Sequence, residues 1–223
     1  MAGYANGTLA SLTSLIAQYH HHDEAILAQK LFAAYDVDKL LQTARDGDSD
    51  ARKAALFALT VIGDTACASE LIPFLQTADA VLRRVVEQAL WQIWFKSGIE
   101  EVDRLMQEGA ALIRAQHWIP ALQAFNQAIS VAPWFPEAYN QRAIVFYVTG
   151  QWERSLEECL HVVVLNPTHF GALAGLGHCY LQRNQPVDAL DAYERALAIN
   201  PGLDEIRQSI DRIKTFMRGG TTP

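Results

Sequence analysis

The chain has 223 residues and a mass of 24.8 kDa, with 50% hydrophobic and 19% charged residues. This balance excludes wholesale disorder, and the absence of any apolar run near 18 residues excludes a membrane-spanning helix. Net charge is −7 and both halves are acidic, with 8 basic and 11 acidic residues over 1–98 and 10 and 14 over 99–223. A nucleic-acid partner gripped by a basic face is therefore excluded too.

Residues 1–35 read as capping helices. Thr8 to Gln18 is moderately apolar, and Thr8 is a suitable N-cap. A secretory signal would carry Lys or Arg ahead of its apolar stretch, and none is present. Three cysteines, Cys67, Cys159 and Cys179, form no paired framework, which points to a reducing, cytoplasmic setting. A chain from which a signal had been removed would read the same way. His20, His21, His22 and Asp23 resemble a metal tract, but adjacent residues on a helix diverge and zinc favours spaced ligands. They are taken as a polar helix end, and no metal or cofactor is expected.

Residues 36–98 contain a repeat offset by 31. Asp48 matches Asp79, Arg52 matches Arg83, Leu59 matches Leu90 and Ile62 matches Ile93. The acid is placed to cap a helix and the arginine to brace the neighbouring turn. The pattern resembles HEAT-type helical repeats. Pro73 should shorten or kink its helix. Lys96-Ser97-Gly98-Ile99 is too short for a flexible linker, so a continuous stack is expected.

Residues 99–218 carry a period of 34. Pro133, Pro167 and Pro201 are evenly spaced, and Asn166-Pro167 recurs as Asn200-Pro201. Ala121, Ser155 and Ala189 are small; Phe125, Cys159 and Tyr193 follow four residues later, then Ala128, Val162 and Ala196. Gly109, Ala143 and Gly177 lie earlier in each unit. Small residues permit close helix approach, and each proline ends a second helix. Paired helices of this length bury their apolar faces only by stacking on neighbours. His161 to Val164 alone would suggest a strand, but the register places them in a helix.

The pattern resembles the tetratricopeptide repeat (TPR), with units 102–135, 136–169 and 170–203, a capping helix over 204–218 built on Ile206, Ile210, Ile213 and Met217, and a frayed tail 219–223. Gln116 and Asn184 depart from the turn glycine that Gly150 supplies. The expected fold is all-α, a right-handed α-solenoid of helical hairpins.

The resemblance implies that first helices line a concave groove that binds a peptide segment of a partner. By register, the groove residues are Met106, Ile113, Glu137, Asn140, Ile144, Tyr147, His178 and Leu181. The amide of Asn140 suits a peptide backbone, and Tyr147 offers an aromatic face with a polar tip. Co-chaperone members of the family hold a terminal carboxylate with Lys, Asn and Arg. The matching positions here are Met106, Ala110, Gln141, Gly171 and Gly175, none cationic, so chaperone tails are not the expected ligand.

No catalytic set stands out. His178 and Cys179 are neighbours on a helix and face apart. Glu157, Glu158, Asp188 and Asp191 fall on a solvated face, and Gly171, Gly175 and Gly177 form no phosphate loop. The reading is a non-enzymatic scaffold or adaptor whose partner is another protein or peptide, with neither nucleic acid nor membrane. The alternatives are weak self-association through Trp134, Phe135 and Pro136, and an accessory protein resembling HEAT-type chromophore lyases.

Overall fold

Four aspartates start helices in the first half of the chain. In the computed structural model, which describes residues 24–219, the chain divides into two compact units, Met1–Lys96 and Ser97–Pro223. The stretch Thr8 to Gln18, the run His20 to Asp23 and residues 220–223 lie outside the described residues.

The first unit contains α1 (Glu24–Ala34), α2 (Val37–Asp46), α3 (Ser49–Ile62), α4 (Thr65–Leu71) and α5 (Ala80–Trp94). Asp36, Asp48, Asp64 and Asp79 each accept hydrogen bonds from backbone N–H groups of the first turn of α2 to α5. Such caps satisfy donors that a helix start leaves open. The bonds from Leu82 and Val81 hold the Asp79 carboxyl below its usual range.

The arginines four residues after two of these caps act as expected. Arg52 donates to Ala44 O (2.9 Å) and Arg45 O (3.0 Å), tying down the end of α2. Arg83 donates to Thr77 O at 2.7 Å. Leu59, Ile62, Leu90 and Ile93 are all buried. Pro73 sits at the start of a 3₁₀ turn (Ile72–Gln76) that ends α4, where its missing N–H costs nothing.

The second unit contains three hairpins, α6 (Glu100–Arg114) with α7 (Trp118–Val131), α8 (Pro136–Val148) with α9 (Trp152–Leu165), and α10 (Phe170–Gln182) with α11 (Pro186–Ile199), followed by α12 (Asp204–Met217). His161 to Val164 are helical, and Val164 faces solvent. Among the described residues the chain is all-helical.

The repeat has a physical basis at three positions. Gln116, Gly150 and Asn184 occupy equivalent turns, and all three are left-handed, with φ of 58°, 75° and 57°. The backbone therefore imposes this conformation whether or not glycine is there. Gly109 and Gly177 leave room for an aromatic ring: a Cβ would stand 2.4 Å from Phe125 and 2.3 Å from Tyr193. In the middle repeat the pair is Ala143 and Cys159, a larger residue facing a smaller one, both buried in one cluster. Ala128, Val162 and Ala196 are fully buried. Helices α7, α9 and α11 each end two residues before Pro133, Pro167 and Pro201.

Helix α12 covers the last hairpin with Ile206, Ile210 and Ile213, which pack with Tyr193 and Ala189. Met217, expected on the same stripe, is 52% exposed. It lies in the final turn, and the buried set ends at Ile213.

Candidate partner-binding groove

The first helices of successive hairpins present the expected groove residues, and the structure divides these into a buried set and an open set. Met106, Glu137 and Asn140 are buried, at 0%, 1% and 5% exposure. This corrects their reading as free groove contacts. Met106 completes a core stripe with Val102, Leu105 and Gly109, at the 3–4-residue spacing of one helix face.

Glu137 and Asn140 belong to a closed polar network. His169, in the loop before α10 and 0% exposed, lies 2.9 Å from Glu137 Oε2 through its Nε2. Glu137 Oε1 accepts from Asn140 Nδ2 (3.1 Å) and Gln141 Nε2 (2.7 Å). The N–H of Ala172 donates to His169 Nδ1 at 3.0 Å. An Nδ1 that accepts carries no proton, so the ring proton is on Nε2 and is donated to Glu137. The contact with Glu137 is a buried hydrogen bond through Nε2. It also caps α10. Sequence register could not reveal this, because the partner of Glu137 is 32 residues away.

The open set lies on α8 and α10. Ile144 is 39% and Val148 52% exposed, one turn apart. Tyr147 and His178 face each other with ring centroids 6.0 Å apart. The Tyr147 hydroxyl accepts from Gln182 Nε2 at 3.3 Å. Behind His178 stands Tyr193, whose hydroxyl lies 2.7 Å from His178 Nδ1. Burial pushes the His178 ring below its usual value and the Tyr193 phenol above its own. Ile113 and Leu181 are half-buried.

Val148, Gln182 and Tyr193 were not among the expected site residues. The first two follow Ile144 and His178 by four positions, a spacing that would have found them. Tyr193 lies on a second helix and reaches the site only because Gly177 lets it through.

The five positions matching the family's carboxylate-holding set are uncharged. Met106 is buried, Gln141 is engaged with Glu137, and Gly175 sits against Cys159 Sγ. Asp103 is also occupied, accepting from Ser97 N (2.6 Å) and Ser97 Oγ (2.7 Å). Of the apolar patch expected at 134–136, Trp134 is 52% exposed but Phe135 is 1% exposed. The patch thus reduces to Trp134 and the edge of Pro136. Among the described residues, no group of three or more His, Cys, Asp or Glu is placed to hold a metal, and no helix is long and apolar enough to cross a membrane.

Three paired-helix units with a covering helix and an exposed apolar-aromatic stripe define a helical repeat protein. The tetratricopeptide repeat family model matches residues 171–203. A TPR repeat-containing protein of Rhizobium etli is 29% identical over 129 residues, 58% of this chain and 63% of its own length. The heat-shock protein cognate co-chaperone sgt12 of Aspergillus fumigatus is 28% identical over 129 residues, 55% of this chain and 38% of its own length. The solved first TPR of Spaghetti (RPAP3), bound to an HSP90 peptide, superposes with a TM-score of 0.52 at 18% identity, covering 54% of this chain and 95% of that one. Residues 171–203 thus match a tetratricopeptide repeat, and over just over half its length the chain is similar to proteins that contain such repeats. It spans less than two thirds of the length of either curated relative.

Proposed function

We propose that this chain is a protein-interaction module that captures a peptide segment of a partner along α8 and α10. The observation that carries the reading is the open stripe: Ile144 and Val148 beside the Tyr147–His178 pair, on adjacent first helices. Exposed aliphatic side chains gain by covering apolar surface, and the phenol and imidazole supply directed hydrogen bonds at its edge. Solved structures of similar fold carry peptides, among them the HSP90 peptide SRMEEVD, and a curated relative is a co-chaperone.

The ligand class differs from that acidic tail. With Met106, Ala110, Gln141, Gly171 and Gly175 uncharged, a cluster of carboxylates would be desolvated without cations to receive it. The reading is therefore an apolar or mixed segment, bound without catalysis. Residues 36–98, with paired Asp caps and Arg braces, are proposed as HEAT-like repeats that carry a second surface. Free cysteines at 67, 159 and 179 fit a reducing compartment such as the cytoplasm.

The test is a peptide-display selection on the full chain, followed by fluorescence anisotropy of selected peptides and of SRMEEVD. Selected peptides should share aliphatic or aromatic anchors, bind at least 10-fold more weakly to Ile144→Ser and Tyr147→Ala, and outcompete SRMEEVD. Peptides that bind both variants as well as the native protein would remove the site from this groove. Preferential binding of SRMEEVD would overturn the ligand class.

A further inference from the structure

The two ring nitrogens of His178, on α10, have different surroundings. Nδ1 faces the Tyr193 hydroxyl at 2.7 Å, with the rings edge to face and their centroids 5.3 Å apart. Nε2 has no hydrogen-bond partner among the described residues and is not sealed from solvent. The two nitrogens diverge around an imidazole, so Nε2 turns away from Tyr193. Tyr147, on α8, flanks the ring at 6.0 Å between centroids.

Tyr193 is fully buried, and a buried O–H left without an acceptor is costly. His178 Nδ1 is the acceptor within reach. The arrangement that satisfies both groups has Tyr193 donating, Nδ1 accepting and the ring proton on Nε2. The other repeats offer a comparison. The positions matching His178 and Tyr193 are Ala110 and Phe125 in the first unit, and Ile144 and Cys159 in the second. Gly109 clears the Phe125 ring as Gly177 clears that of Tyr193, with a Cβ 2.4 Å and 2.3 Å away respectively. A phenyl ring thus fills this gap by itself, and the hydroxyl is found in the repeat that carries the histidine.

Given a segment captured along α8 and α10 as proposed above, we propose that Tyr193 is a positioning residue that locks the His178 ring with its proton on Nε2, and that this N–H binds a main-chain carbonyl of the segment. Tyr193 meets no ligand itself, being fully buried, and acts through the imidazole. Tyr147 suits the same ligand chemistry. Its hydroxyl accepts from Gln182 Nε2 at 3.3 Å, which leaves its own proton to donate. The polar edge of the stripe then offers donors, beside the exposed aliphatic side chains of Ile144 and Val148. A peptide backbone supplies carbonyl acceptors whatever its side chains, and a neutral acceptor needs no cation to receive it.

The first readout is long-range proton–nitrogen correlation NMR of the free full chain, labelled with nitrogen-15 histidine, at neutral pH. It separates the two neutral tautomers, and His178 is assigned by its loss in His178→Gln. The native ring should carry its proton on Nε2. Tyr193→Phe, the residue of the matching position in the first unit, should turn it into a mixture of both forms with the circular dichroism unchanged. A native ring protonated on Nδ1, or a tautomer unmoved by Tyr193→Phe, would overturn the proposal. The second readout is anisotropy of the tightest peptide from the display selection, blocked at both ends. His178→Phe should weaken it about 10-fold. His178→Gln, whose amide N–H stands near the Nε2 position, should hold it within about 3-fold. Replacing one amide of the peptide by an alkene should cost the native chain about 10-fold and His178→Phe nothing. A peptide weakened by Ile144→Ser yet indifferent to His178→Phe would overturn the proposal and leave the groove. A peptide indifferent to both, or a selection that yields none, would overturn the groove and the proposal with it.

Discussion

Replacing His169 by alanine tests the buried network directly. The substitution removes two hydrogen bonds from a site that is closed to water. Glu137 Oε1 keeps Asn140 and Gln141, but Oε2 loses the Nε2–H donor that stood 2.9 Å away. A buried acceptor left unsatisfied costs about 1–3 kcal/mol, and more when it is charged. The N–H of Ala172 loses its cap, worth about 1 kcal/mol, and the missing ring leaves a cavity. Taken together, the unsatisfied acceptor, the lost cap and the cavity give an expected loss of about 3–5 kcal/mol. That is a large share of the 5–15 kcal/mol typical of a domain. Urea unfolding followed by circular dichroism would measure it. The double substitution Glu137→Met with His169→Ala should cost less than the two singles summed, because no orphaned carboxylate remains. A loss below about 1 kcal/mol for the single, or strict additivity, would refute the argument that this network holds the third repeat's entry.

Gly177→Ala places a methyl 2.3 Å from a Tyr193 ring that is fully buried. Overpacking should cost about 1–3 kcal/mol despite the gain of about 1 kcal/mol in helix propensity; a stabilised variant in the same urea assay would contradict it. His178 sets an acid dependence. Burial holds its folded value below the ordinary 6.5, so the unfolded chain binds the proton first and acidification favours unfolding. Its share of stability is complete above 6.5 and is lost as pH falls from there through the lower folded value. Thermal melts at stepped pH should show His178→Gln losing less stability than the native protein over that window, and identical slopes would remove His178 as the cause.

The period of 34 made the paired helices legible. Small residues at 121, 155 and 189, larger ones at 125, 159 and 193, and prolines at 133, 167 and 201 mark close approach, filling and helix end, all local consequences of side-chain size and backbone freedom. The Asp–Arg pattern of 48/52 and 79/83 was legible for the same reason, since a cap and a brace act within one turn or loop. The site was less so. Register puts Ile144, Tyr147 and His178 on one face, where Ile144 is exposed and the two rings are half-buried, yet it placed Glu137 and Asn140 there as well, although His169 closes over them from the next loop. It also counted Phe135 as surface when it is core. Helix type, boundaries and stacking order follow from short-range preferences repeated along the chain, so one sequence determines them. Which polar groups stay free depends on contacts such as that of Glu137 with His169, 32 positions on, and only the packed repeats decide those.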